Sequence, residues 1–193
     1  MKRICVFCGS NPSNEAAFQN AAKGLADLLV REKLGLVYGG ASVGLMGLLA
    51  QRMLDRGGEA IGVIPTALFP KEIPHQKLTR LYEVSTMHER KQLMYDLSDG
   101  FIALPGGLGT LDELCEILTW AQLGLHRKPC GILNVGGYFG PFLEFLDGAV
   151  KRELMKPSHR ELLLIAATPQ ALLKKLRAYR APGLKKWIRS QEV

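Results

Sequence analysis

Residues 99–122, DGFIALPGGLGTLDELCEILTWAQ, decide the fold. Phe101 to Leu104 is short, apolar and bounded by Gly100 and Pro105, as a central strand is. Gly106, Gly107 and Gly109 remove side chains where the chain turns, so a ligand can approach the backbone. Leu111, Leu114, Leu118, Ala121 and Leu125 then fall at alternating steps of three and four, a helical stripe. A strand running through a glycine turn into a helix N-terminus is an anion site, because free N–H groups and the helix dipole face the ligand. Two acids, Asp112 and Glu113, stand near that helix start. A loop that only held phosphate gains little from neighbouring carboxylates, so chemistry is expected here as well as binding. Thr110-x-x-Glu113 also fits a capping box, in which both side chains satisfy backbone donors. The pattern leaves both readings of Glu113 open.

Upstream, the same strand–turn–helix unit recurs. Arg3 to Cys8 reads as a strand, and Ser13 as the cap of a helix to about Lys33. Leu34 to Tyr38 reads as a second strand. It leads into a second glycine turn, residues 39–47, and a helix that stops at Gly57-Gly58. Ala60 to Ile64 is a third strand. Residues 65–79 hold Pro65, Pro70 and Pro74 and read as a functional loop that includes Glu72. Arg80 to Val84 is a strand, and residues 87–97 a helix. Downstream come a strand over Cys130–Val135, a helix over Phe139–Arg152, a short strand over Leu162–Ile165 and a last helix from Thr168 to about Tyr179.

Strands that are apolar on both faces and alternate with helices imply a parallel sheet covered on both sides. The fold class is α/β: a doubly wound parallel sheet, Rossmann-like, in a single domain over residues 1–178, followed by a basic tail over 179–193. Ligands of such sheets bind at the carboxyl ends of the strands. Both glycine turns, the 65–79 loop and the start of the 87–97 helix lie at that edge. Candidate phosphate-binding residues are therefore Gly40, Ser42, Gly44, Gly107, Gly109 and Thr110.

The chain of 193 residues is long enough for one domain with a real core, and its 47% hydrophobic and 22% charged content is that of a globular protein. No apolar run reaches membrane-spanning length. The net charge of +7 is concentrated. Residues 174–193 hold seven Lys or Arg against Glu192, which leaves only +1 for residues 1–173. The basic segment reads as a solvated helix end and tail rather than a nucleic-acid surface. Cys5 and Cys8, three apart in a strand, point to opposite faces and make neither disulfide nor metal pair. The cysteine usage suits a reducing cytoplasm.

Several chemistries lack their motif. Residues 40–47 read G-x-x-x-G-x-x-G and residues 107–112 read G-x-G-x-x-D, so the dinucleotide fingerprint fails. No Walker lysine follows either turn, and no serine sits in G-x-S-x-G. The four histidines share no metal-ligand spacing, and no metal or cofactor is expected. Two phosphate-friendly turns without those motifs point to a mononucleotide or another small phosphorylated ligand. Met87-His88-Glu89-Arg90-Lys91 supplies cations at the same edge. There Arg90 can bond a phosphate or ribose and Lys91 can add charge.

These residues resemble a known family. VYGGASVGLMG at 37–47, MHERK at 87–91, ALPGGLGTLDELCEILTWAQLGLHRKP at 103–129 and GILNVGGY at 131–138 are similar to the LOG proteins. Those are cytokinin riboside 5′-monophosphate phosphoribohydrolases, long labelled possible lysine decarboxylases. The resemblance covers the chain to about residue 176. It implies hydrolysis of the N-glycosidic bond of an adenosine 5′-monophosphate, with or without an N6 substituent, to free base and ribose 5-phosphate. It implies a catalytic pair at Arg90 and Glu113. Substrate contacts would come from Glu72, Arg90, Lys91, Gly107, Leu108, Gly109, Thr110, Leu111, Asp112, Glu113 and Thr119. It also implies a homodimer that acts in the cytoplasm without a cofactor. Leu108 stands where many members have Tyr, Asp112 where many have Glu, and Gly136 where Asp is frequent. The competing expectation is a non-catalytic nucleotide or phosphate-ligand carrier, which needs the glycine turns but not the acid.

Overall fold

The computed structural model describes residues 1–68 and 73–182. Among them, seven strands form one parallel sheet: β1 (Arg3–Phe7), β2 (Gly35–Tyr38), β3 (Ala60–Pro65), β4 (Arg80–Val84), β5 (Gly100–Ala103), β6 (Cys130–Leu133) and β7 (Leu163–Ala166). The helices are α1 (Ala16–Arg31), α2 (Gly44–Asp55), α3 (Met87–Asp96), α4 (Leu108–Gln122), α5 (Gly140–Lys151), α6 (Pro157–Arg160) and α7 (Pro169–Ala178). The strand order is β4-β3-β2-β1-β5-β6-β7. The chain steps outward from β1 to β4, then returns to the other side of β1 as β5. The loops that follow β1 and β5 therefore diverge, and a crevice opens between them, as expected at the switch point of a doubly wound sheet.

The alternation of strand side chains builds two cores. Ile4, Val6, Ile102 and Leu104 face α1, α2 and α7, where Leu25, Leu29, Leu49, Met53 and Leu172 are buried. Cys5, Phe7, Phe101 and Ala103 face α3 and α4, through Met94, Leu114 and Ile117. Each such fully buried aliphatic side chain contributes roughly 1.5–3 kcal/mol. Cys5 and Cys8 fall in opposite cores, and both are free thiols.

Several boundaries differ from the sequence reading, each for a local reason. Ser13 does not cap α1. Its Oγ accepts the Glu15 N–H at 3.1 Å and closes a turn before the helix begins at Ala16. Residues 157–160 form a short helix that has no sequence signal beyond Pro157. Cys115 is exposed. His75 and His126 are buried. The His126 ring donates from Nε2 to the Ile117 carbonyl at 2.8 Å and accepts the Lys128 N–H at Nδ1, 3.0 Å away. Both bonds need the neutral ring, and burial pushes its pKa down. Residues 183–193 of the expected basic tail, with Trp187, lie outside the described residues.

The decisive difference lies at α4. The helix begins at Leu108, with Gly107 as its N-cap and no side-chain cap. Thr110 is thus inside the first turn, buried against Gly106, and Thr110–Glu113 is not a capping box. The capping geometry occurs instead at the other T-x-x-E sequence. Thr86 Oγ1 accepts the Glu89 N–H at 3.1 Å, and the Glu89 carboxylate accepts the Ser85 N–H at 2.8 Å. That arrangement fixes the start of α3. Glu89 is thereby a structural acid, whereas Glu113 lies one turn beyond the α4 terminus.

Candidate active site

Three loops are laced together at the carboxyl end of the sheet. The Gly9 N–H donates to the Pro105 carbonyl at 3.1 Å, and the Gly9 carbonyl accepts the Leu45 N–H at 3.1 Å. The turn after β1, the turn after β5 and the start of α2 are thus one unit. Around it lies a cleft of about 530 Å³, a volume typical of small-molecule sites. Ser10 to Ser13 form one wall and Gly106 to Thr110 another; Met87 and Arg90 close the α3 side. Phe18, Leu45, Met46, Leu108 and Tyr138 make the apolar part of the lining, and Asp112 and Glu113 add the carboxylates.

Arg90 is 6% exposed. Its Nη2 donates to the Gly39 carbonyl at 3.2 Å, Nη1 approaches the Met87 sulfur at 3.8 Å, and Nε has no partner. A buried donor without a partner costs stability, and a ligand acceptor would satisfy it. Gly39 is what makes room: a Cβ there would overlap Arg90 Nη2 and stand 3.1 Å from the Met46 sulfur. Arg90 is therefore not the solvated helix-start charge that such clusters usually are.

Glu113 is half-buried on α4 and lines the same cleft. Its charge and that of Arg90 both reach the end of β1. Burial, and after it Glu113, push the Cys5 thiol up, while Arg90 acts in the opposite direction. Burial and Glu113 likewise push Cys8 up, which disfavours the thiolate at both positions. The early start of α4 separates two functions. The first turn, residues 108–110, holds no acid, and its N–H groups have no intrahelical acceptor. Asp112 and Glu113 sit in the next turn. The anion site and the carboxylates thus coexist about one helical pitch, ~5.4 Å, apart along the axis.

Other candidates are placed differently. Gly40, Ser42 and Gly44 do not line the cleft. The Gly40 carbonyl accepts the His75 N–H at 3.0 Å, and the Ser42 N–H and Oγ both donate to the Ile73 carbonyl at 2.9 Å. The second glycine turn thus anchors the proline-rich segment, which a strand–turn–helix pattern cannot distinguish from a ligand loop. Lys91 turns to the outer side of α3, where it pairs with Glu116 at 2.9 Å and Asp112 at 3.3 Å. There it lines a second groove with His88, Gln92 and Trp120. Leu108 stands at the cleft mouth, 86% exposed. Leu111 packs into the core beneath α4. Thr119 is exposed further along the helix and donates to the Cys115 carbonyl at 2.7 Å. Glu72 lies outside the described residues. Sequence reasoning missed Gly39, the Ser10–Ser13 wall, Phe18, Met87 and Tyr138. For the wall a signal existed, since it follows the strand beside the switch point.

The chain is similar to several known proteins. The pattern of the family described as "Possible lysine decarboxylase" matches residues 46–176. The probable cytokinin riboside 5′-monophosphate phosphoribohydrolase LOGL6 of Oryza sativa subsp. japonica is 51% identical over 178 residues, 92% of this chain and 71% of that protein. Cytokinin riboside 5′-monophosphate phosphoribohydrolase LOG3 of Arabidopsis thaliana is 48% identical over 178 residues, 92% of this chain and 83% of that protein. Among solved structures, the molybdenum cofactor carrier protein of Chlamydomonas reinhardtii superposes with a TM-score of 0.69 at 20% identity, covering 92% of this chain and 99% of that one. At that identity the likeness is one of fold. The family pattern and the identity to its named members place the chain: it belongs to the possible lysine decarboxylase family, among the LOG cytokinin riboside 5′-monophosphate phosphoribohydrolases.

Proposed function

We propose that the protein hydrolyses the N-glycosidic bond of adenosine 5′-monophosphate or its N6-modified forms, releasing the free base and ribose 5-phosphate. The observation that carries this reading is one cleft at the switch point that joins the unsatisfied, buried Arg90 to Glu113 above an uncapped helix N-terminus. The first-turn N–H groups over Gly107–Thr110 hold the 5′-phosphate. Arg90 donates to the ribose and completes its hydrogen bonding. Loss of the base builds oxocarbenium-like positive charge on the sugar, as in glycoside hydrolysis. The Glu113 carboxylate stabilises that charge and takes a proton from the attacking water, whose oxygen bonds to the anomeric carbon as the base leaves with the bonding electron pair; the departing base takes up a proton from solvent and Glu113 gives its own back to solvent, which restores the carboxylate. General-base assistance of this kind is worth ~10²–10⁴ in rate.

A carrier would use the turn and have no role for the acid. A decarboxylase of the family's older description would need a lysine to hold pyridoxal phosphate. Among the described residues no lysine lines the cleft, and Lys91 is paired outside it. The residues present do not fit that group. Incubation with AMP and with N6-isopentenyl-AMP should release free base and ribose 5-phosphate from at least one. Tight binding of both without turnover would instead leave a carrier.

We further propose that the chain works as a homodimer in the cytoplasm. Helix α5 has no fully buried residue, Phe145 is 69% exposed, and Leu118 and Trp120 of α4 are only half-buried. An apolar face of this kind is typical of an interface. The four free cysteines suit a reducing compartment. Light scattering should give twice the chain mass of 21.2 kDa; the single mass would overturn the dimer.

A further inference from the structure

Tyr138 is the residue of the cleft whose position the proposed reaction does not yet explain. It lies between the left-handed pair Gly136 and Gly137, at φ 58° and 75°, and the start of α5. The Asn134 side chain accepts the Phe139 N–H at 2.9 Å and fixes that turn. The Tyr138 ring meets Phe18 edge-on at 5.3 Å and Phe139 edge-on at 5.1 Å. Its ring lines the cleft, yet its hydroxyl donates to the backbone carbonyl of Gly106 at 2.7 Å.

Gly106 is already confined on its other side. A Cβ there would overlap Thr110 Oγ1 and lie 2.7 Å from the Gly9 nitrogen. What remains free is rotation of the peptide unit that joins Gly106 to Gly107. That unit is planar and trans, so its carbonyl and its N–H point in opposite directions. A bond that fixes the Gly106 carbonyl therefore also fixes the direction of the Gly107 N–H. Glycines on both sides of this peptide make it unusually easy to rotate, and Gly107 has open space where a side chain would be. Without a restraint, the N–H at the N-cap of α4 would sample several directions.

We propose that Tyr138 is a positioning residue for the phosphate group. Its hydroxyl orients the Gly106–Gly107 peptide so that the Gly107 N–H joins the first-turn donors of α4 in holding a phosphorylated ligand. The inference rests on the phosphate site proposed above. It assigns Tyr138 a part in binding and none in bond cleavage. Loss of the hydroxyl weakens ligand and transition state equally, which raises KM and leaves kcat unchanged.

The test compares Tyr138→Phe with Tyr138→Leu in the full chain, with melting curves for each. The Phe variant keeps both edge-on ring contacts and loses one hydrogen bond. Its KM for AMP should rise about five-fold, with kcat within about two-fold of the parent and the melting temperature unchanged. Its Kd for ribose 5-phosphate, measured by calorimetry, should rise by the same factor. The Leu variant loses the ring as well, and its KM should rise further. Unchanged KM and Kd in the Phe variant would overturn the proposal. A fall in kcat at constant KM would overturn it too, since Tyr138 would then touch the reacting atoms. If the parent binds ribose 5-phosphate but hydrolyses no nucleotide, the proposed reaction falls, and a raised Kd in Tyr138→Phe still upholds the positioning role.

Discussion

Glu113→Gln is expected to lower turnover of AMP by about 10²–10⁴-fold, the range typical of losing a general base, while nucleotide affinity is kept. Glutamine preserves the length and hydrogen-bonding shape of the side chain but removes the negative charge and the proton acceptor. The loss should therefore fall on kcat, because the carboxylate interacts most strongly with charge that exists only in the transition state. Asp112→Asn is the internal control. Asp112 lines the same cleft, but its side chain is 60% exposed and its partner is Lys91. Lys91 keeps Glu116 as a partner at 2.9 Å when Asp112 is neutralised, so activity should stay near that of the parent. Single-turnover kinetics and nucleotide binding by calorimetry on both variants provide the measurement. Full activity in Glu113→Gln would remove the acid from the mechanism. Equal losses in the two variants would mean that the cleft responds to total charge rather than to one group.

The second large effect is expected at a residue with no side chain. Gly39→Ala places a methyl group where Arg90 Nη2 now lies, close to the Met46 sulfur. Both obstacles are ends of flexible side chains, so the fold can adjust and the guanidinium is pushed from its seat. Arg90→Ala removes the same group directly. A hydrogen bond to a charged group is worth about 1.5–3 kcal/mol, so each variant should lose roughly 10- to 100-fold in kcat/KM. The diagnostic result is the double variant. If Gly39 acts only by seating Arg90, Gly39→Ala/Arg90→Ala should be no worse than Arg90→Ala alone. Additive losses would show that Gly39 matters for another reason, such as the path of the backbone after β2. Thermal melts should separate the two cases, because expelling Arg90, whose buried Nε has no partner, changes activity far more than stability.

The limits of sequence reading are clearest where one local pattern serves two purposes. Thr86-x-x-Glu89 and Thr110-x-x-Glu113 obey the same capping rule, yet only the first caps a helix. Nothing local separates them. At α4, where Thr110 packs against Gly106, the helix starts three residues earlier than that rule would put it, and Glu113 faces a cleft. The two glycine turns form a similar pair. Both follow a strand and open a helix, but the first, at 39–47, is tied to Ile73 and His75, while the second lines the cleft. Which donors remain for a ligand depends on which distant segment takes the others. Arg90 and Lys91 are neighbours in sequence and project about 100° apart around α3, one buried at the cleft and one paired outside it.

By itself the sequence determined the α/β class, the strands and the helices other than the short 157–160 one to within a few residues, the parallel sheet and the edge at which ligands bind. These follow from hydrophobic periodicity and from glycine, which act over short spans of chain. It also determined the family, through the glycine turn and acid of residues 105–113 together with MHERK at 87–91. Tertiary structure alone decided which residues share the cleft. The return of the chain from β4 to β5 brings Arg90 to Glu113, seats the guanidinium on Gly39 and sets the Tyr138 hydroxyl on Gly106. The stretch 99–122 encodes an anion site and a helix; its acid shares a cleft with Arg90 because the strand order places α3 beside α4, an arrangement of segments that no local pattern specifies.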